Sequence, residues 1–240
     1  MLTIKSLGQI ILNCLWPLTC CSCHQDVFLL CPDCQEQITL RDKKQCPLCK
    51  GVQKNTEICP ACQSTTALSK IIICTDYENS IIQKTIQAYK YQYLLPLAEP
   101  LAAILIKKFE QLINQGEIII DPKNKPLIIP TPLHRQRQWE RGFNQSAQLA
   151  KIFARYFGFD YNERIIQRKR NTTHQAELNR EKRLQNMINS FQITHANAIQ
   201  NRIIILIDDV ITTGATLNEQ AKILKENGAA EIWALVIAKN

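Results

Sequence analysis

No cysteine occurs beyond residue 74, although eleven lie within the first 74 residues. A disulfide framework spanning the chain is thereby excluded, and two parts with different chemistry are visible. Glycine and proline are scarce, at 7 and 10 of 240 residues, which excludes collagen-like and low-complexity chains. With 45% apolar and 21% charged residues the chain can bury a core, so wholesale disorder is excluded as well. Its length fits one large domain or two smaller ones, at roughly 100–200 residues each. No apolar run reaches the roughly 20 residues that a bilayer crossing takes. The nearest candidate, residues 7–18, is broken by Gln9, Asn13 and Pro17. Its Leu7, Ile10, Ile11 and Leu15 fit one face of a short helix, expected to pack as a lid. No small-residue cleavage site follows it, so neither a signal peptide nor stable membrane insertion is expected. The phosphate-binding string G-x-x-x-x-G-K-S/T is absent too. What the composition does contain is a formal charge of +8, which favours an anionic partner.

Eight cysteines form four C-x-x-C pairs: Cys20 with Cys23, Cys31 with Cys34, Cys46 with Cys49, and Cys59 with Cys62. A two-residue gap aims both sulfurs at one tetrahedral ion, and two pairs complete a closed structural zinc site. The gaps between pairs suit short hairpins. They favour one site from Cys20, Cys23, Cys31 and Cys34 and another from Cys46, Cys49, Cys59 and Cys62, with a crossed arrangement as the alternative. Cys21 and His24 are possible substitutes in the first site. Pro32, Pro47 and Pro60 are expected to stiffen the knuckles. Few large apolar residues accompany these cysteines, so two zinc ions would supply folding energy there. A secreted disulfide scaffold fits poorly with an odd cysteine total, and reduced thiols point to the cytoplasm. Four tandem pairs also make a poor redox motif.

From residue 70 the periodicity changes to alternating strands and helices. Strands are expected at 70–76, 127–130, 161–167, 202–208 and 231–238, and helices at 81–89, 97–112, 145–157 and 216–226, the last closed by Gly228. Near-continuous apolar strands alternating with helices predict an α/β fold, a parallel sheet with helices on both faces. The division expected is residues 1–66, N-terminal helix and double zinc ribbon, and residues 67–240, the α/β domain. The sharpest string is I-I-I-L-I-D-D-V-I-T-T-G-A-T-L at 203–217. Five apolar residues lead to Asp208 and Asp209, and a small hydroxylated loop then enters a helix. Ligands of open α/β sheets bind beyond the carboxyl ends of strands. Backbone N–H groups around Thr212, Thr213, Gly214, Ala215 and Thr216 can hold a phosphate there. The paired acids can accept hydrogen bonds from vicinal hydroxyls or face magnesium.

That string resembles the phosphoribosyl-pyrophosphate (PRPP) loop of type I phosphoribosyltransferases. A second segment, P-T-P-L at 130–133 with R-G-F-N-Q at 141–145, follows the cysteine-rich head and is similar to the ComF/GntX family of competence-associated proteins. Lys90-Tyr91 and Arg168, Thr173, Gln175, Leu178, Arg183, Asn186 and Phe191 agree with it. The resemblance implies a double zinc ribbon before a type I phosphoribosyltransferase-like domain, and a role in natural transformation and DNA uptake. It implies that Asp208 and Asp209 address the ribose, that residues 212–216 take the 5′-phosphate, and that Arg135 and Arg141 face the pyrophosphate. Lys90 joins the PRPP site, and Asp208, Asp209 and Arg141 carry any catalysis. The basic stretch 168–183 corresponds to a closing loop. Magnesium would accompany PRPP. Two functions follow as expectations: PRPP binding with phosphoribosyl transfer, or a non-catalytic module docking single-stranded DNA or competence proteins. Trp139, Phe143, Tyr156 and Phe157 could stack bases, though core positions suit them better. Residues 134–183 hold 12 Lys or Arg against 5 Asp or Glu, so the basicity gathers beside the expected pyrophosphate site.

Overall fold

The computed structural model describes residues 19–26, 28–42, 45–51, 58–133, 142–168 and 190–240. The expected lid helix at 7–18, Arg135, Trp139, Arg141 and the closing loop from 169 onward lie outside the described residues.

Five parallel strands form the sheet: β1 (Lys70–Asp76), β2 (Leu127–Pro130), β3 (Asp160–Tyr161), β6 (Ile203–Ile211) and β7 (Glu231–Lys239), in the order β1-β7-β6-β2-β3. The apolar runs explain this placement. Ile205 and Ile207 of β6 enter one hydrophobic cluster while Ile204 and Leu206 enter another, so both faces are covered. On the first face lie α3 (Ser80–Tyr91), α4 (Ala98–Asn114) and α5 (Gln145–Phe157). Phe109 of α4 meets Phe153 and Phe157 of α5 edge-on, both at 5.2 Å between ring centres. On the second face lies α6 (Ala215–Glu226) through Leu217, Ala221 and Leu224.

Helix ends follow local chemistry. The Asn79 side chain accepts from the N–H groups of Ile81 and Ile82, and that of Asn144 accepts from Ser146. Gly158 closes α5 in the left-handed region, at φ 63°. Helix α6 ends at Asn227, and Gly228 follows at φ 92°.

Two expectations change. The strand expected over 161–167 is two elements: β3 joins the main sheet, while β4 (Ile166–Arg168) pairs antiparallel with β5 (Phe191–Ile193). A turn at 163–165 separates them, and no apolar alternation announces so short a strand as β5. Strand β6 does not stop at the acids but runs on to Ile211, paired with β7 throughout.

The cysteine-rich head is built into the same cores. Cys20, Cys31 and Cys34 belong to the cluster on the first face, and Cys46 and Cys59 to that on the second. Between them the chain passes the end of β1. There the Arg41 N–H donates to the Cys74 carbonyl at 2.7 Å and its guanidinium pairs with Asp76. Lys108 of α4, buried, donates to the Arg41 carbonyl at 2.7 Å. Among the described residues no helix is long and apolar enough to cross a membrane.

Candidate functional site: two four-cysteine clusters and an acidic dyad

The thiols converge in two groups, Cys20, Cys23, Cys31 and Cys34, and Cys46, Cys49, Cys59 and Cys62, with all sulfurs of a group within 4.8 Å of one another. The uncrossed pairing holds. Tetrahedral bonds of about 2.3 Å place sulfurs roughly 3.8 Å apart, and Cys20–Cys34 lie at 3.8 Å, Cys23–Cys31 at 3.5 Å and Cys49–Cys59 at 3.5 Å. A disulfide takes about 2.05 Å. The donor set therefore fits a closed structural zinc site, and not a disulfide.

Each ribbon repeats one design. The first pair lies on a knuckle in which the fifth residue donates back to the first: His24 N–H to the Cys20 carbonyl at 2.9 Å, and Lys50 N–H to the Cys46 carbonyl at 2.9 Å. His24 and Lys50 both adopt left-handed backbone, at φ 64° and 65°. The second pair opens a one-turn helix: Cys31 and Cys59 are the N-caps of α1 (Pro32–Glu36) and α2 (Pro60–Gln63). Pro32 and Pro60 therefore pre-set helix starts rather than knuckles, and only Pro47 lies in a knuckle. Burial alone would raise the thiol pKa of Cys20 and of Cys46. Backbone N–H groups of Cys23 and Cys31 outweigh it at Cys20, and those of Cys49 and Cys59 at Cys46, holding both down to about 6. At these two positions the amides favour the thiolate, the form that a metal takes. Cys21 stands apart, its sulfur 3.4 Å from the Thr85 hydroxyl, and neither it nor His24 joins a group. Cys74 is buried in β1.

Near the carboxyl end of β6, and just past that of β2, lies the acidic pair. Asp209, 8% exposed, meets the Lys90 ammonium at 2.7 Å. Asp208 accepts from the Ser146 hydroxyl at 2.9 Å and from the Asp209 N–H at 2.9 Å. Burial, then the neighbouring Asp209 charge, pushes Asp208 up to about 7 despite Lys90 and Ser146. Lys90 is lowered by burial, but the Asp209 and Asp208 charges leave its pKa raised overall. The last turn of α3 thus delivers a cation and the first turn of α5 a hydroxyl. Two ties hold those ends: the Tyr89 hydroxyl donates to the Gln145 carbonyl at 3.0 Å, and the Asn144 amide donates to the Thr131 carbonyl at 3.1 Å. Among the described residues, the buried Thr131 hydroxyl has no partner, nor does the amide nitrogen of Gln145.

Next to the dyad, Thr212 and Thr213 are exposed, and Gly214 at φ 77° is the N-cap of α6. Gly214 carries no side chain to cap the helix, and the Ala215 N–H reaches the Thr213 hydroxyl at 3.4 Å. Lys90 is thereby brought to Asp208 and Asp209, while Arg135 and Arg141 lie outside the described residues. Ser146 is a site residue that the sequence does not single out. Its only signal is its place two residues after Asn144, where an N-cap fixes its direction. Replacing Ser146 with Ala should cost about 1–3 kcal/mol. The loss should be larger at pH 8 than at pH 5, because the hydroxyl stabilises the ionised Asp208; urea unfolding at the two pH values measures it.

A sheet of this order with an acidic dyad and a T-T-G-A-T turn at its carboxyl edge defines a phosphoribosyltransferase-type domain, here carrying a double four-cysteine ribbon. Residues 144–240 match the phosphoribosyl transferase domain family. Competence protein F of Haemophilus influenzae is 32% identical over 217 residues, which cover 87% of this chain and 90% of that protein. The DNA utilization protein YhgH of Escherichia coli K12 is 28% identical over 210 residues, covering 86% and 89%. Competence protein ComFC of Bacillus subtilis is 28% identical over 216 residues, covering 85% and 83%. The chain belongs to the competence protein F (ComF) family.

Proposed function

We propose that this protein binds PRPP through the site at the end of β6, and that each four-cysteine group holds a structural zinc ion. The observation that carries the PRPP reading is the dyad itself. Asp208 and Asp209 are adjacent acids, one held by a hydroxyl and one by an ammonium, beside a glycine-opened helix N-terminus. Asp208 and Asp209 would accept the two ribose hydroxyls, and the 212–216 turn would offer N–H groups to the 5′-phosphate. The hard carboxylate oxygens also suit magnesium, which would neutralise diphosphate charge. Arg135 and Arg141 are proposed for the pyrophosphate. Phosphoribosyl transfer would break the bond from C1′ to the pyrophosphate oxygen as an acceptor forms its own, so charge stabilisation matters more than a covalent nucleophile.

The relatives' names, competence and DNA utilization, support a role in handling incoming DNA. Reduced cysteine clusters support a cytoplasmic place for it. Calorimetry with PRPP and magnesium on the zinc-loaded chain tests the reading; saturable binding is expected, and its absence overturns it. A second reading, single-stranded DNA as partner, is favoured by Tyr91 and Tyr93, 65% and 50% exposed directly after Lys90. Base stacking on such rings is worth about 1–3 kcal/mol per base. If that reading holds, Tyr93→Ala should weaken oligonucleotide binding roughly tenfold in fluorescence anisotropy while leaving PRPP binding intact.

A further inference from the structure

The second ribbon is joined to the phosphate turn from two sides. Leu48, between Cys46 and Cys49, reaches the turn. A Cβ added to Gly214 would lie 3.7 Å from Leu48 Cδ2 and 3.4 Å from Ile211 Cδ1. The knuckle is fixed there because Lys239, the last residue of β7, donates to the Pro47 carbonyl at 2.6 Å, and Lys239 is paired in register with Ile211. On the other side, the Asn218 side chain holds the segment leaving α2. Its oxygen accepts from the Thr66 hydroxyl at 2.8 Å and from the Ala67 N–H at 2.9 Å, and its nitrogen donates to the Thr65 carbonyl at 3.5 Å. Asn218 lies in the first turn of α6, and its own N–H donates to the Gly214 carbonyl at 2.9 Å. Cys46 and Cys59 share their hydrophobic cluster with Ile211 and Leu217, the residues flanking the turn. The first ribbon packs on the opposite face and touches α3, where Lys84 donates to the Ser22 carbonyl at 3.1 Å.

We propose that the second four-cysteine group is a positioning element for the phosphate turn, with Leu48 and Asn218 as the residues that transmit its geometry. The proposal rests on the PRPP reading above. An ion bound by Cys46, Cys49, Cys59 and Cys62 locks the knuckle that carries Leu48 and the exit segment that Asn218 grips. The turn is then held between its own strand and a metal-braced wall. Occupancy of this ion and binding of a 5′-phosphate are therefore coupled, and the coupling is reciprocal.

The test uses the full zinc-loaded chain, with PRPP and magnesium titrated by calorimetry and zinc release followed with a chromogenic chelator. Leu48→Ala should keep both ions yet weaken PRPP about tenfold, because a small misplacement of binding groups has a large effect. Leu48→Met should restore affinity to within about twofold, since Met fills the same volume. Cys62→Ser should weaken PRPP at least as much as Leu48→Ala. PRPP should slow release of one of the two ions and not the other. If the parent chain binds no PRPP, the functional reading itself fails. If the parent binds PRPP and Leu48→Ala binds equally well, the positioning role is wrong. It is also overturned if PRPP slows release of both ions alike. Where Cys62→Ser does not fold, Leu48→Ala decides.

Discussion

Asp208→Asn is expected to give a protein more stable than its parent above pH 7 but roughly 100-fold weaker in binding PRPP. The two effects share one cause. Asp208 is half-buried beside Asp209, and desolvation with the Asp209 charge pushes its carboxyl up from 3.8 to about 7. A carboxyl whose pKa is raised by folding binds more protons in the folded state, so its contribution is most favourable below pH 4. That contribution is lost as the pH rises towards 7. In the free protein above pH 7 the ionised Asp208 thus costs on the order of a few kcal/mol. An amide at this position keeps an oxygen for the Ser146 hydroxyl and the Asp209 N–H, and carries no charge to desolvate. Thermal unfolding from pH 5 to pH 9 should therefore fall with pH in the parent and stay flatter in the variant. Ligand binding runs the other way. Hydrogen bonds from ribose hydroxyls to a charged acceptor are worth about 1.5–3 kcal/mol each, so weakening them should reduce PRPP affinity roughly 100-fold. In the parent, affinity should drop as the pH falls below about 7, because the protonated acid no longer accepts well. A variant that is neither stabilised at pH 8 nor impaired in binding would show that Asp208 is an ordinary surface acid.

Cys34→Ser should have the larger effect on folding. Cys20, Cys31 and Cys34 are 0%, 0% and 3% exposed and share a cluster with Tyr89, Leu101 and Leu105. Losing one thiolate removes the ion, leaves a buried hydroxyl and releases the segment that covers α3. Structural zinc contributes apparent binding energies of about 10–16 kcal/mol in small fingers, and a whole domain is stable by only about 5–15 kcal/mol. The variant is therefore expected to unfold at least about 5 kcal/mol more readily in urea, on the same scale. A strong chelator should melt the parent in a similar way, with zinc alone restoring it. Unchanged unfolding after complete metal removal would leave the ribbons no part in stability.

The ribbons and the strands are legible in the sequence for specific reasons. C-x-x-C spacing has few physical solutions, and the I-I-I-L-I run of β6 can only be buried on both faces, so Gln145–Phe157 and Leu127–Pro130 fall into place around it. Ser146, Asn144 and Lys90 behave differently. Each is a common polar residue whose role depends on which helix terminus the fold brings to the end of β6. Lys90 is reached from the sequence only through a family resemblance, and Ser146 is not reached at all. The pair β4 and β5 is hidden by length, because three residues carry no period. The reach of Leu48 to Gly214 is hidden by distance along the chain. Nothing in a C-P-L-C knuckle says which surface its leucine will touch.

The position of β1 has a consequence for how the chain is made. Among the described residues this edge strand pairs only with β7, Lys70 opposite Trp233 and Asp76 opposite Lys239, at the far end of the polypeptide. At about 5–20 residues per second, a ribosome needs on the order of ten seconds to supply that partner. Both ribbons have emerged by then, with all eight cysteines available to metal. During synthesis, β1 therefore waits for its strand partner beside the cysteine-rich head and the helices that emerge after it. Zinc supply during translation, and not only in the mature protein, is accordingly expected to govern yield.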